Sequence, residues 1–537
     1  MPVAASLLIA GTTSDAGKTV VVTALCRAFA RRGLKVAPFK AQNMSNNSMV
    51  VSSPGGPKGP GGSDSSAGSD GPSATGEIGR AQWIQAVAAG APPEPAMNPV
   101  LLKPGGDRRS HVVVMGQPAG SVSSRDFVDG RAHLAEAAFA AYDDLASRHD
   151  LVICEGAGSP TEINLRASDY VNMGLARHGD MPVVVVGDID RGGVFAALYG
   201  TVALLEAADQ RLLAGFVLNK FRGDASLLTP GLRELEALSG RPTLGVFPWH
   251  PDLWLDSEDA LAVPAPVGAA SGAAASAGAA TAALRVAVIR LPRISNFTDV
   301  DALGLEPDVE LRFVTEPRDL AGADLVVVPG TRATLDDLAW LRARGLNRAI
   351  STHVERGGAV LGICGGCQML GREIADPDGT EGHPGARVDG LGLLGLTTRF
   401  AAEKALRLPA GREFGEDVTG YEIHHGRITR GDDDDEFIGG ARRGRVFGTM
   451  WHGTLESDGF RSAFLAEVAR GGSAGAAGDG RAGWVREASG VSFGRAREAR
   501  LDLLADLAEE HLDLDALLGL AQAGAPAMPL LEPGASR

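Results

Sequence analysis

Two stretches of this 537-residue chain carry residue types in an order that chemistry needs. The first is GTTSDAGKT, residues 11–19, set between the apolar run 6–10 and the apolar stretch VVVTALCRAFARR. A Gly-rich turn between a strand and a helix aims backbone N–H groups at phosphates, and the helix N-terminus adds positive potential. In that frame Thr12 and Gly17 belong to the ATP-cradling loop, Lys18 reaches the β/γ-phosphates and Thr19 holds Mg²⁺. Counted from Gly11, the loop is one residue longer than the usual spacing; counted from Thr12, a threonine replaces its first glycine. Acids at later strand ends could complete the ion's shell: Glu155 in ICEGAGS, and Asp190 with Asp188 in VVVVGDIDRGG. The plainer reading of each is a solvated acid or a helix cap. Asn219, following the apolar run 215–218, is a candidate adenine contact, with a simple loop role as its alternative.

The second stretch runs from the apolar segment 359–363 into CGGCQMLG, residues 364–371. This pattern reads as strand, tight turn and helix, with Cys364 at the turn, where a helix N-terminus favours the thiolate. Gly365 and Gly366 permit the turn, and the Gly365 N–H can donate to an oxyanion. The earlier turn Pro329-Gly330-Thr331 could supply a second donor from the Gly330 region. Cys364 and Cys367 also form a C-x-x-C, but a zinc site needs two further ligands and no second such pair is present. Cys367 therefore reads as a small packing residue. A nucleophilic thiol needs a base. His452 in GTMWHGT could end a strand, yet spacing alone does not choose it over His424 or His425 in GYEIHHG.

These residues must be held by regular elements. Short Val/Ile/Leu runs at 6–10, 35–39, 151–154, 182–187 and 215–218 alternate with helical stretches, and the pattern restarts at 285–289, 324–328 and 359–363. Such runs suit parallel strands covered on both faces, so the expected fold is α/β with two parallel-sheet domains. Residues 51–75 are Gly/Ser/Pro-rich and read as a disordered insertion within the first domain; 263–283, almost all small residues, read as the linker. The expected boundaries are thus 1–262 and 284–537, the latter ending in a helical segment over 496–521. The chain has 72 Gly and 30 Pro, a surplus that those linkers and the functional turns absorb. A net charge of −15 argues against a nucleic-acid or anionic-membrane binder, and four scattered cysteines argue against a disulfide framework. With no apolar run of about 18 residues, a cytoplasmic protein handling small molecules is expected.

The motifs also carry a resemblance. GICGGCQMLG with a later WHG resembles the class I glutamine amidotransferases, and GTTSDAGKT with CEGAGS resembles dethiobiotin synthetase-type domains. Together with PFKAQNMSNN, EIGRAQ, MNPVLLKP, GAGSPTEINLR, DIDRGGVFA, NKFRGD and GYEIHHG, they closely resemble the cobyric acid synthase family, over most of 1–262 and 284–465. The resemblance implies ATP- and glutamine-dependent amidation of four peripheral carboxylates of adenosylcobyrinic acid a,c-diamide in cobalamin biosynthesis. It makes Cys364 the glutaminase nucleophile and His452 its base. The acid that many class I enzymes carry two residues after that histidine is replaced by Thr454, and Glu456 lies four away, so the partner orienting the imidazole stays open.

An acidic chain that takes a polycarboxylate needs local cations, and Lys40, Lys103, Arg166 and Arg191 are candidates, with surface charge or ATP binding as the alternatives. A cobyrinate a,c-diamide synthase shares the two-domain layout, but PFKAQNM, EIGRAQ and NPVLLKP favour the first reading. A P-loop switch ATPase with an inert amidotransferase-like domain would have no chemical need for Cys364 and His452.

Overall fold

A computed structural model describes residues 4–52, 75–105, 109–123, 131–251, 253, 283–470 and 492–531. The expected linker 263–283 lies outside these, apart from residue 283, as do 53–74 of the expected insertion. The edges of that insertion are ordered: Ser48–Ser52 and Thr75–Gly79 pair antiparallel, with Val51 opposite Gly76 and Ser52 opposite Thr75.

The first domain is built on six parallel strands in the order Thr243–Pro248, Leu213–Phe221, Val183–Asp188, Ala5–Gly11, Leu151–Glu155 and Val36–Phe39. Alternating side chains feed two cores: Leu8 and Ala10 face one layer of helices, Leu7 and Ile9 the other. That two-sided burial is why these strands read as unbroken apolar runs. The edge strand Thr243–Pro248 is not legible in the sequence because four of its six positions are only partly buried and no apolar run forms. A smaller four-stranded sheet, Gln42–Met44, Val100–Pro104, Arg109–Val114 and Gln117–Ser123, flanks it.

In the second domain five parallel strands run in the order Val309–Val314, Leu284–Ile289, Leu325–Val328, Ala359–Ile363 and Val446–Thr449. Antiparallel Gly440–Arg443 and Asp435–Phe437 extend the sheet. A separate four-stranded sheet carries Thr397–Arg407 paired with Glu422–Thr429.

The terminal helical segment differs from expectation in two respects. It is two helices, Phe493–His511 and Leu514–Ala523, broken where Asp513 caps the second by accepting from the Ala516 N–H. Moreover, the segment assigned by sequence to the second domain packs on the first: Leu501, Leu504, Ala508 and Leu517 share a core with Leu7, Val21 and Leu25. Arg27 and Arg31 on helix Lys18–Arg31, with Arg32 at its C-terminal cap, pair with Glu498, Asp502, Asp506 and Asp515. These pairs are partly exposed, so apolar burial supplies most of the stabilisation.

Candidate active site

The buried strand Ala359–Ile363 delivers Cys364 at a sharp turn with φ 50° and ψ −107°, followed directly by helix Gly365–Leu370. A positive φ at a non-glycine residue is strained by about 1–3 kcal/mol and persists only where its surroundings enforce it. Here the Cys364 N–H is bonded to the Thr449 carbonyl at 2.7 Å. A Cβ on Gly366 would lie 1.8 Å from the Val328 carbonyl oxygen, so the turn can close only over glycine. Cys364 is 7% exposed, at the base of a cavity also lined by Thr331, Gln368 and His452. Cys367, one helical turn on, is fully buried; burial pushes its thiol pKa up, as expected of a packing residue.

His452 follows strand Val446–Thr449 and is 1% exposed. Its Nδ1 lies 2.7 Å from Oδ2 of Asp299, whose other oxygen accepts the Gly453 N–H at 2.8 Å. Tyr421 stacks on the imidazole at 5.2 Å between ring centroids. Burial by itself pulls the imidazole's pKa down. The carboxylate of Asp299, the neighbouring Cys364 and hydrogen bonds to both outweigh it and raise the value to about 10. His452 is thus poised as an imidazolium beside the sulfur. His424 and His425, on strand Glu422–Thr429, line the same cavity. His425 is bonded to the Ala401 carbonyl, and burial with Lys404 and Arg332 lowers its pKa to about 4.

The partner left open by the sequence is therefore Asp299, in the 3₁₀ turn Phe297–Val300, 153 residues before the histidine. Glu456 faces elsewhere, pairing with Arg80 and Arg497 at 2.8 Å each. Gly330 sits against the ring: a Cβ there would be 2.9 Å from His452 Cε1. Gly365 abuts Thr331, where a Cβ would be 2.7 Å from Cγ2. Both turns expected to supply oxyanion donors thus lie beside the thiol. In the same cavity Glu381 accepts the Thr334 N–H and faces Arg332; burial raises its pKa to about 7 against the pull of that guanidinium.

In the first domain Lys18 is almost fully buried, and its ammonium donates to the carbonyls of Thr13, Ser14 and Gly158. Gly17 has φ 91°, and a Cβ there would meet Asn219 Nδ2 at 1.9 Å. Asn219 donates to the Ala16 carbonyl, so it packs against the phosphate loop. Thr19 donates to Glu155 Oε1 at 3.0 Å; Lys40 reaches the same oxygen at 2.9 Å and Gln85 the other at 2.6 Å. Burial would raise the Glu155 pKa, but Lys40 chiefly holds it below the ordinary carboxylate value. A hydroxyl and an ionised carboxylate beside a glycine loop are the donor set a phosphate-bound Mg²⁺ takes, so the residues fit the ion.

Other expected site residues fall elsewhere. Asp190 is half exposed and turned toward Arg222; the buried acid at that strand end is Asp188, paired with Lys220 at 2.7 Å. Lys103 lies at the domain boundary, donating to Glu77 and Ser48 and lining the Cys364 cavity. Arg166 is committed to buried Asp209 at 2.6 Å, and Lys40 to Glu155. Of the four cations, Arg191 is the most open, its side chain 61% exposed beside Asp15 of the loop. Each of the four stands beside a carboxylate.

Comparison with known proteins agrees with this division. The profile of the CobQ/CobB/MinD/ParA nucleotide binding domain matches residues 7–262, and that of the CobB/CobQ-like glutamine amidotransferase domain matches 285–460. A solved glutamine amidotransferase is 23% identical over 34% of this chain and 98% of its own, with a TM-score of 0.28. A nucleotide-binding domain joined to an amidotransferase domain defines a glutamine-dependent amidating ligase that uses ATP. A protein of Mycolicibacterium gilvum (strain PYR-GCK) named cobyric acid synthase is 64% identical over 98% of this chain and 99% of its own. Its namesake in Mycobacterium marinum (strain ATCC BAA-535 / M) is 62% identical over the same shares. The chain belongs to the cobyric acid synthase family. No helix among the described residues is long and apolar enough to cross a membrane.

Proposed function

We propose that the chain amidates four peripheral carboxylates of adenosylcobyrinic acid a,c-diamide to give adenosylcobyric acid, with glutamine as nitrogen donor. The observation that carries this reading is the pairing, in one chain, of a Cys364–His452–Asp299 constellation with a phosphate loop backed by Glu155. The names of its relatives point to cobyric acid as the product, and the motif resemblance supplies the substrate.

Cys364 attacks the glutamine side-chain carbonyl, and the oxyanion is held by backbone N–H groups of the Gly330 and Gly365 turns. His452 protonates the departing ammonia and then activates the water that hydrolyses the thioester, while Asp299 fixes its ring. In the first domain Lys18 and the loop grip ATP, and Thr19 with Glu155 would hold Mg²⁺, which supplies charge neutralisation between phosphates. A carboxylate resists attack by an amine at neutral pH, so transfer of the γ-phosphoryl group to it gives an acyl phosphate that ammonia displaces, releasing phosphate. Asn46 and Lys103 of the first domain line the Cys364 cavity, which supports ammonia leaving toward the synthetase domain, sheltered from protonation.

The direct test incubates the protein with ATP, Mg²⁺, glutamine and adenosylcobyrinic acid a,c-diamide and reads product mass. Four new amides are expected; none would refute the assignment. Replacing Glu155 by Gln removes the ionised carboxylate beside Thr19. It should slow amidation about 10²-fold with glutamine or ammonia alike while glutamine hydrolysis continues. A loss confined to the glutamine-driven reaction would remove Glu155 from the ATP site.

A further inference from the structure

The glutaminase constellation is built against the first domain, at three points that meet in one hairpin region. The Ser48 N–H on strand Ser48–Ser52 donates to Asn296 Oδ1 at 2.9 Å across the domain boundary. Asn296, at φ 50° and ψ 40°, begins the turn Phe297–Val300, and its carbonyl accepts the Asp299 N–H at 3.0 Å. Met49 and Val50 of the same strand pack on Tyr421, the ring stacked on His452. Arg80, directly after the partner strand Thr75–Gly79, binds Glu456 in the turn that follows His452.

Next to Asn296, the Ser295 N–H holds the Gly330 carbonyl at 2.9 Å, so the same short segment also braces the candidate oxyanion turn. Both Ser48 and Asn296 are almost fully buried, which makes their hydrogen bond an internal strut shielded from water competition. Resting on the glutaminase reading above, we infer that Asn296 is a positioning residue. Through Ser48 it ties the placement of Asp299, and hence of the His452 ring, to the synthetase domain, so that glutamine is hydrolysed at full rate only when that domain's hairpin is seated. The physical basis is differential contact: a hairpin that shifts releases the Asn296 side chain, and the turn carrying Asp299 loses its anchor.

The test uses the full chain as wild type, Asn296→Gly and Asn296→Asp, with Cys364→Ser as blank. Glycine accepts the positive φ and deletes the side chain with its acceptor; aspartate keeps an acceptor for the Ser48 N–H and a side chain of the same size in the cavity wall. For Asn296→Gly, kcat for glutamine hydrolysis should fall at least ~5-fold while KM for glutamine and ammonia-driven amidation hold, and Asn296→Asp should recover most of the loss. Ammonia-driven amidation and an unchanged melting temperature report that each variant is folded. Wild-type kcat in Asn296→Gly, or a loss shared by the ammonia-driven reaction, overturns the inference alone. Absence of glutamine hydrolysis in the wild type overturns the glutaminase reading, and the inference with it.

Discussion

Replacing Cys364 by Ser should reduce glutamine hydrolysis and glutamine-driven amidation by about 10³-fold or more, and leave ammonia-driven amidation within ~2-fold of wild type. Serine fits the turn, because its side chain is no larger and the strained backbone at φ 50° is held by Thr449 and the glycines, not by sulfur. What is lost is the nucleophile's ease of ionisation. A hydroxyl holds its proton far more tightly than a thiol, so no ready anion stands beside the His452 imidazole. The synthetase half keeps Lys18, Thr19 and Glu155 and needs only free ammonia from solution. Measured side by side, the two nitrogen sources separate the domains. Equal loss with both would mean that Cys364 serves the fold or the synthetase step rather than glutamine hydrolysis.

The second large effect belongs to a residue that spacing did not reveal. Asp299→Asn should lower kcat for glutamine hydrolysis by about 10²–10⁴-fold with little change in KM, since an amide can bond Nδ1 but cannot stabilise an imidazolium. The sign of the pH effect follows from the same contact. With Asp299 in place the imidazolium survives until pH rises toward about 10. Without that carboxylate the ring's pKa falls, because burial, which opposes the charge, then acts with less resistance. The proton needed by the leaving ammonia is therefore lost at lower pH, and the alkaline limb of the kcat profile moves toward neutrality. A pH–rate series on both proteins checks this; an unshifted limb would show that Asp299 does not set the protonation of His452. Glu456→Gln, by contrast, should leave the limb in place, since Glu456 faces Arg80 and Arg497.

What could be read from sequence was local. Lys18, Thr19, Cys364 and the glycines beside them lie within turns whose chemistry and backbone demands are set by residues a few positions apart, and strand–turn–helix is written directly in the apolar runs around them. Glu155 was legible for a similar reason: it ends a fully buried strand, and parallel strands present their ends together. Asn219 was placed near the phosphate loop by the same logic, and its side chain bonds the loop through Ala16.

Long-range pairing was not legible. His452 could be chosen over His424 and His425 only by resemblance, because all three lie near one cavity and a histidine's role depends on what stands behind its ring. The candidate cations illustrate the same limit: a free charge and a paired one look identical in sequence until Asp209 or Glu77 is found beside them.

The sequence by itself determined two parallel α/β sheets, the phosphate loop and the cysteine turn, because period, glycine placement and strand-end chemistry act over a few residues. Tertiary structure alone decided that Asp299 orients His452, that the terminal helices complete the first domain's core, and that the hairpin Ser48–Ser52/Thr75–Gly79 meets the turn bearing Asp299. Each of these joins residues more than a hundred positions apart, and such contacts are selected by the packing of whole layers, which no local pattern records.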